Sequence, residues 1–184
     1  MKRPLAVAVT GGIAAGKSEA LAAFARHGAA TLSADAVVHD LLAHDDEVRA
    51  AVRDRWGIDA DDRAGIGEIV FGDRAELDWL ERLLHPKTRA ATAAWLETVD
   101  APLAVVEVPL LYETGGETRF DAVVAITAPA EVRATRRGEF GDREARLVPD
   151  EEKVRRADYA YVNDGSLDDL DAFVAEVVDE LCAR

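Results

Sequence analysis

Residues 11–18 constrain this chain more than any other segment, because they join a glycine-rich turn to a lysine and a serine. They read Gly-Gly-Ile-Ala-Ala-Gly-Lys-Ser and match the G-x-x-x-x-G-K-[ST] pattern of phosphate-binding loops. An apolar run at residues 5–9 precedes them, and a segment with Leu21, Phe24 and Ala25 on one stripe follows. The sequence therefore predicts a buried strand, a turn and a helix, in the order that this pattern requires.

The residue types in this segment suit a phosphate group. Glycines let the backbone turn its N–H groups inward, and the following helix directs the positive end of its dipole to the same point. We expect Lys17 to pair with the β- and γ-phosphates and Ser18 to offer its hydroxyl to Mg²⁺. The residues predicted to hold the nucleotide here are Gly11, Gly12, Ile13, Ala14, Ala15, Gly16, Lys17, Ser18 and Glu19.

Two other classes of nucleotide-binding protein fit the chain less well. Residues 62–65 match the D-x-x-G pattern of GTPases, but no apolar strand precedes them and no N-K-x-D motif occurs. A G-x-G-x-x-G motif is also absent, which disfavours a dinucleotide site. A small-molecule kinase remains, because 184 residues leave no room for the additional domains of motor ATPases.

Short β-branched runs alternate with amphipathic segments, which predicts an α/β fold of the P-loop NTPase kind, a parallel sheet flanked by helices. Strands are predicted at residues 5–9, 30–33, 103–108, 122–127 and 159–162. Within the mostly helical residues 34–100, residues 57–67 are predicted to be a polar connector, and Pro86 to open a further helix. We expect one domain over residues 1–184, with a core at 1–35, 101–132 and 157–184, a helical insertion at about 36–100 and a short lid at about 133–156.

Composition excludes several classes of protein. The 22 basic and 36 acidic residues give a formal net charge of −14, which argues against nucleic-acid and anionic-membrane partners. No apolar run approaches the roughly 20 residues that cross a bilayer. The single cysteine, Cys182, excludes an internal disulfide and a cysteine zinc cluster. We expect a cytoplasmic monomer.

Asp35 follows the second predicted strand by two residues. Ligands of open parallel sheets bind at the carboxyl edge of the strands, where a carboxylate can accept the proton of an attacking hydroxyl. A helix N-cap is an equally good interpretation from position alone.

Arginines cluster in the predicted lid. Residues 131–156 hold eight basic and seven acidic side chains. Arg136, Arg137 and Arg143 are the candidates to neutralise charge on the transferred phosphoryl group. Ion pairs along a solvated helix are the alternative for several of these arginines.

Several short segments together resemble the dephospho-CoA kinase family. They read V-T-G-G-I-A-A-G-K-S at 9–18, S-A-D at 33–35, L-H-P at 84–86, V-P-L-L-Y-E at 108–113, A-D at 157–158 and N-D-G at 163–165. The family reads T-G-G-I-G-S-G-K-S-T, D-A-D, L-H-P, V-P-L-L-F-E and A-D-x-V-I-x-N-x-G in the same order. The resemblance covers nearly the whole chain.

The resemblance implies ATP- and Mg²⁺-dependent phosphorylation of the ribose 3′-hydroxyl of dephospho-CoA, which gives coenzyme A and ADP. It implies that Asp35 is the base. Lys17 of the loop and Arg137 of the predicted lid are the other catalytic candidates. Nucleotide binding then extends to Arg136, Arg143 and Asn163. Substrate binding is expected of Asp35, His85, Arg89, Pro109, Leu110 and Glu113.

Alternatives stay open for the residues at 85–86, 107 and 113. His85 and Pro86 are also typical of a helix start, and Glu113 suits either substrate orientation or a solvated salt bridge. Glu107, inside the third predicted strand, suits either a relay to Mg²⁺ or a pair with a buried arginine.

The sequence departs from the family at Ser33, Glu19 and Leu147, which stand where aspartate, threonine and glutamine are usual. A kinase of another nucleotide or nucleoside, and a nucleotide-binding regulator with weak catalysis, are the alternative functions.

Overall fold

The computed structural model describes residues 3–137 and 147–183. The strands are β1 (Leu5–Gly11), β2 (Ala30–Ser33), β3 (Leu103–Glu107), β4 (Ala122–Thr127) and β5 (Tyr159–Val162). The helices are α1 (Lys17–Arg26), α2 (Ala34–His44), α3 (Asp46–Trp56), α4 (Arg63–Gly72), α5 (Arg74–Thr98), α6 (Ala130–Arg137), α7 (Asp150–Arg156) and α8 (Leu167–Cys182), with a short 3₁₀ turn at Glu117–Arg119.

The five strands form one parallel sheet in the order β2-β3-β1-β4-β5. Every residue of β3 and β4, and all of β1 except Leu5, is buried, as expected for central strands covered on both faces. In register, Val9 lies opposite Glu107 and Gly11 opposite Ile126, so the ends of three strands meet beside residues 11–18. The predicted α/β fold is confirmed.

The chain divides into two compact units, residues 1–33 with 96–184, and residues 34–95. In the first unit, Phe24 of α1 and Leu170 and Val174 of α8 pack in one core with apolar residues of β1, β3 and β4. The second unit is helical, and its core contains Val48 and Leu84. All three tryptophans lie in this second unit, at Trp56, Trp79 and Trp95.

Two helix predictions are wrong. Pro86 lies inside α5, which runs without interruption from Arg74 to Thr98. A proline removes one helical hydrogen bond, to the carbonyl of Arg82, and burial of Leu80 and Leu84 on the same helix offsets that loss.

The predicted connector at residues 57–67 is shorter than expected. Helix α4 begins within it at Arg63, because the Asp62 carboxylate accepts a hydrogen bond from the Gly65 N–H and so caps the helix. The burial of Ile66 stabilises the first turn.

None of the helices in the described ranges combines the length and apolar character that a bilayer crossing demands.

Candidate active site

The predicted strand, turn and helix around residues 11–18 are confirmed, because β1 ends at Gly11 and α1 begins at Lys17. Gly11 has φ +146° and Gly16 has φ +100°, values that side-chain-bearing residues rarely adopt. A Cβ on Gly11 would lie 1.7 Å from the Ile126 carbonyl oxygen, and one on Gly16 would lie 2.2 Å from Nδ2 of Asn163. Both positions therefore require glycine.

The side chain of Lys17 folds over this loop. Its Nζ donates hydrogen bonds to the carbonyl oxygens of Gly12, at 2.8 Å, and Gly11, at 3.3 Å. The ammonium group and the positive end of the α1 dipole thus act at the same place. This arrangement attracts an anion, as a phosphate-binding loop must.

Ser18 meets an acidic residue from the neighbouring strand. Its Oγ donates to Oε1 of Glu107 at 3.5 Å, and Glu107, the last residue of β3, is only 7% exposed. The described residues contain no cluster of three or more histidine, cysteine, aspartate or glutamate side chains suited to a metal. A hydroxyl and a carboxylate nevertheless fit Mg²⁺, which prefers oxygen ligands and keeps several waters.

Arg136 and Asn163 contact the loop through its carbonyl groups. Nη1 of Arg136 lies 3.2 Å from the Ala14 oxygen and 3.4 Å from the Ala15 oxygen, and its Nη2 donates to the Asn163 carbonyl at 3.4 Å. The buried amide of Asn163 donates to the Ala15 oxygen at 2.8 Å. The structure therefore brings these two predicted nucleotide residues to the loop, where Arg136 adds a second positive charge.

Asp150 lies at the loop although no sequence motif points to it. A Cβ on Gly12 would lie 2.7 Å from Oδ2 of Asp150, so this carboxylate packs against the loop backbone. Asp150 is the first residue of α7. In the sequence it is one of several acids in the lid, and no local pattern distinguishes it from the others.

The segment after β3 combines apolar packing with one engaged carboxylate. Leu111 and Tyr112 are buried, Pro109 and Leu110 are half-buried, and the Pro109 carbonyl accepts a hydrogen bond from Oγ1 of Thr10 at 3.5 Å. Oε1 of Glu113 accepts from the Val148 N–H at 2.9 Å and lies 3.2 Å from Nζ of Lys153. Burial raises the pKa of the Tyr112 hydroxyl, so that group stays protonated at neutral pH.

In the second unit, Asp35 is an exposed residue in the first turn of α2. It lies inside that turn rather than before it, so the N-cap interpretation is wrong. His85 and Arg89 line a groove of about 340 Å³ on α5 with Asp78, Glu81, Arg82 and Pro86. Pro86 belongs to the wall of this groove and not to a helix start.

The structure gives less information about three residues that are predicted to bind or act on the nucleotide. Glu19 is exposed in the first turn of α1, where a carboxylate suits the helix dipole. Arg137 is the last residue of α6, and its side chain lies outside what the structure describes, as does Arg143 entirely.

Comparison with known proteins gives consistent matches. The family model described as CoaE, dephospho-CoA kinase, matches residues 5–169. A dephospho-CoA kinase of Frankia casuarinae is 38% identical over an alignment of 192 positions, gaps included, that covers 97% of this chain and 84% of that protein. A dephospho-CoA kinase of Mesorhizobium japonicum is 38% identical over an alignment of 190 positions, gaps included, that covers 96% of each chain.

Solved structures agree with the sequence matches. The crystal structure of TT1252 from Thermus thermophilus has a TM-score of 0.81 at 32% identity and covers 98% of this chain and 99% of its own. The dephospho-CoA kinase of Campylobacter jejuni has a TM-score of 0.72 at 26% identity, with 97% of each chain covered. A shikimate kinase of Acinetobacter baumannii, with a TM-score of 0.53 at 12% identity, covers 96% of this chain and 94% of its own and shares the fold alone.

Proposed function

The chain belongs to the dephospho-CoA kinase family, and from this premise we propose which of its residues perform the family's reaction. The enzyme phosphorylates dephospho-CoA with ATP to form coenzyme A. We place the transfer at the ribose 3′-hydroxyl, with release of ADP. One observation supports the proposal most strongly. Lys17, Ser18 and Arg136 all lie at a single loop whose backbone conformation requires glycine.

The loop residues position and neutralise the triphosphate. Lys17 and the backbone N–H groups of residues 12–18 bind the β- and γ-phosphates, and Arg136 and Arg137 of α6 balance charge on the transferred group. Ser18 and Glu107 would hold Mg²⁺, which would neutralise negative charge on the triphosphate when bound. Catalysis consists mainly of positioning and electrostatic stabilisation.

Asp35 is the proposed general base. Ser33 lies opposite Glu107 in the sheet, and Asp35 follows Ser33 by two residues. The hydroxyl oxygen of the acceptor forms a bond to the γ-phosphorus, the bond from that phosphorus to the β–γ bridging oxygen breaks, and the hydroxyl proton passes to the Asp35 carboxylate.

In the second unit, His85 and Arg89 of the α5 groove are proposed to bind the acceptor. In the first unit, the same role is proposed for Pro109 and Leu110 after β3. Arg89 offers a fork of N–H donors that suits the phosphate groups of dephospho-CoA. We further propose that the protein acts as a monomer in the cytoplasm, which size measurement in solution and localisation of a tagged chain would test.

A substrate panel tests the reaction. Dephospho-CoA, nucleosides and nucleoside monophosphates are each incubated with Mg·ATP, and the product is identified by mass. We expect only dephospho-CoA to gain one phosphoryl group efficiently. Transfer to another acceptor would assign a different kinase, and ATP binding without any product would assign a regulator.

Substitution of the base tests the assignment of Asp35. We expect Asp35→Asn to lower kcat by about 100-fold or more, because a positioned base contributes about 10²–10⁴-fold, while ATP affinity stays near that of the wild type. Asp40→Asn is the matched control, since Asp40 lies on the same helix and pairs only with His44 among the described residues. An unchanged kcat in Asp35→Asn would refute the assignment.

A further inference from the structure

Two ion pairs attach helix α7 to the segment that follows β3. Lys153 of α7 pairs with Glu113 at 3.2 Å, and Arg156 pairs with Glu117 while its guanidinium lies 4.2 Å from the ring centre of Tyr112. The basic residues are three positions apart on the helix and the acidic residues four apart in the segment. The two ion pairs therefore lie one after the other along one face of α7.

The pair formed by Lys153 and Glu113 is buried. Lys153 has no exposed side-chain surface, and the Glu113 side chain is 14% exposed. An ammonium group in such a place is costly unless a partner compensates its charge, so helix α7 is tied to the position of Glu113.

One carboxylate oxygen fixes both the helix and the chain that leads into it. Oε1 of Glu113 lies 3.2 Å from Lys153 and accepts a hydrogen bond from the Val148 N–H at 2.9 Å. Val148 stands two residues before the start of α7. The carboxylate is thus engaged by its own chain, which favours positioning over direct substrate contact.

The first turn of α7 transmits this attachment to the phosphate loop. Asp150 lies three residues before Lys153, one helical turn away, and its carboxylate packs against Gly12. Within one turn a helix moves as a unit. A shift of Lys153 away from Glu113 therefore displaces the group that lies against the loop.

We propose that Glu113 and Lys153 are positioning residues that hold α7 against the phosphate loop and thereby set nucleotide affinity and turnover. The turnover part rests on the proposed function, whereas the affinity part does not, because nucleotide binding is measurable without an acceptor.

The test uses Glu113→Gln, Lys153→Met and the double variant in the full chain. A fluorescent ATP analogue gives the dissociation constant, steady-state assays give kcat and both KM values, and thermal unfolding gives Tm. We expect Glu113→Gln to lower Tm, because it leaves the Lys153 ammonium buried without a counter-charge. We expect it to weaken binding of the analogue and to lower kcat, each about tenfold, with an unchanged KM for dephospho-CoA; about tenfold corresponds to roughly 1.4 kcal/mol.

The double variant separates positioning from folding. Replacing both charges removes the buried-charge penalty, so we expect Tm to recover while analogue affinity and kcat stay about tenfold reduced. This variant also carries the test if Glu113→Gln does not fold. Recovery of affinity and kcat together with Tm would overturn the proposal, because the pair would then serve stability alone.

Two further results would also overturn it. An unchanged analogue affinity in Glu113→Gln contradicts the link to the loop, and a raised KM for dephospho-CoA with unchanged affinity would make Glu113 a substrate ligand. Asp171→Asn, which removes a surface partner of Arg26 and His27, is the matched control and should leave affinity and kcat unchanged. If the wild type does not phosphorylate dephospho-CoA, the proposed function fails, while the analogue affinities still decide the positioning role.

Discussion

The two units of the chain meet their conformational requirements in different ways. In the first unit, Gly11 and Gly16 adopt positive φ values and lie so close to other groups that a Cβ does not fit. In the second unit, Gly57 also has a positive φ, of +71°, but has open space around its Cβ position. The tightest glycine positions of the first unit therefore lie in one loop.

The second unit depends on side chains that cap and pair its helices. The Asp45 carboxylate accepts from the Val48 N–H at 2.9 Å, and Lys87 binds both Asp45 and Glu47. Hydrogen bonds from Arg55 and Trp56 lower the pKa of Glu76. Each such contact is modest in energy, so the unit tolerates single changes better than the loop does.

The largest expected effect contrasts two glycines. Gly11→Ala should destabilise the chain by more than about 4 kcal/mol, or prevent folding, because the new Cβ would overlap the Ile126 carbonyl at 1.7 Å. Gly57→Ala should cost only about 1–2 kcal/mol, since it adds left-handed strain without a clash. Urea unfolding followed by circular dichroism measures both. Equal losses would remove the distinction between the units.

The next effect contrasts two lysines. Lys17→Ala should lower kcat/KM for ATP by about 100- to 1,000-fold, because it removes a charge aimed at the phosphates, and should leave the fold intact. Lys87→Ala should lower stability slightly, through the loss of its contacts with Asp45 and Glu47, and leave kcat/KM unchanged. Steady-state kinetics measures kcat/KM of the two variants, and thermal unfolding measures their stability. A comparable kinetic loss in Lys87→Ala would contradict the assignment of phosphate binding to the first unit.

The smallest effect concerns the cap of α3. Asp45→Ala should cost about 1 kcal/mol at pH 7, the usual contribution of an N-cap. The hydrogen bond from Val48 and the contact with Lys87 hold the pKa of Asp45 below its ordinary value, so the folded state binds this proton less readily than the unfolded state. The stabilisation is therefore present above about pH 4 and is lost as pH falls through the folded-state pKa.

Urea unfolding at pH 7 and pH 3 checks this prediction. The difference between wild type and Asp45→Ala should shrink at pH 3. Asp46→Ala is the control, because it removes a charge from the same helix end without removing the cap. An undiminished difference at pH 3 would show that the cap does not act through its carboxylate charge.

Local patterns predicted the sheet and the loop well. Strands β2, β4 and β5 occupy the predicted residues, and β1 extends two residues past its predicted end, to Gly11. These elements follow from runs of apolar residues and from their spacing, which nearby residues determine. The glycine, lysine and serine positions of the loop are local in the same sense.

What the sequence did not reveal depends on contacts between distant segments. Asp150 meets Gly12, and Lys153 meets Glu113, only because the sheet brings β1, β3 and β4 together. Continuation of α5 through Pro86 similarly reflects burial of Leu80 and Leu84, which outweighs the intrinsic tendency of proline to end a helix.

The placement of the tryptophans makes the two units optically separable. Because Trp56, Trp79 and Trp95 all belong to residues 34–95, intrinsic indole emission reports on the helical unit alone. The sole thiol, exposed Cys182 at the end of α8, offers a position for one dye on the other unit. The unaltered protein thus offers two spectroscopic signals, tryptophan emission from one unit and a dye on Cys182 in the other. With them, the response of each unit to nucleotide or denaturant can be followed in one sample.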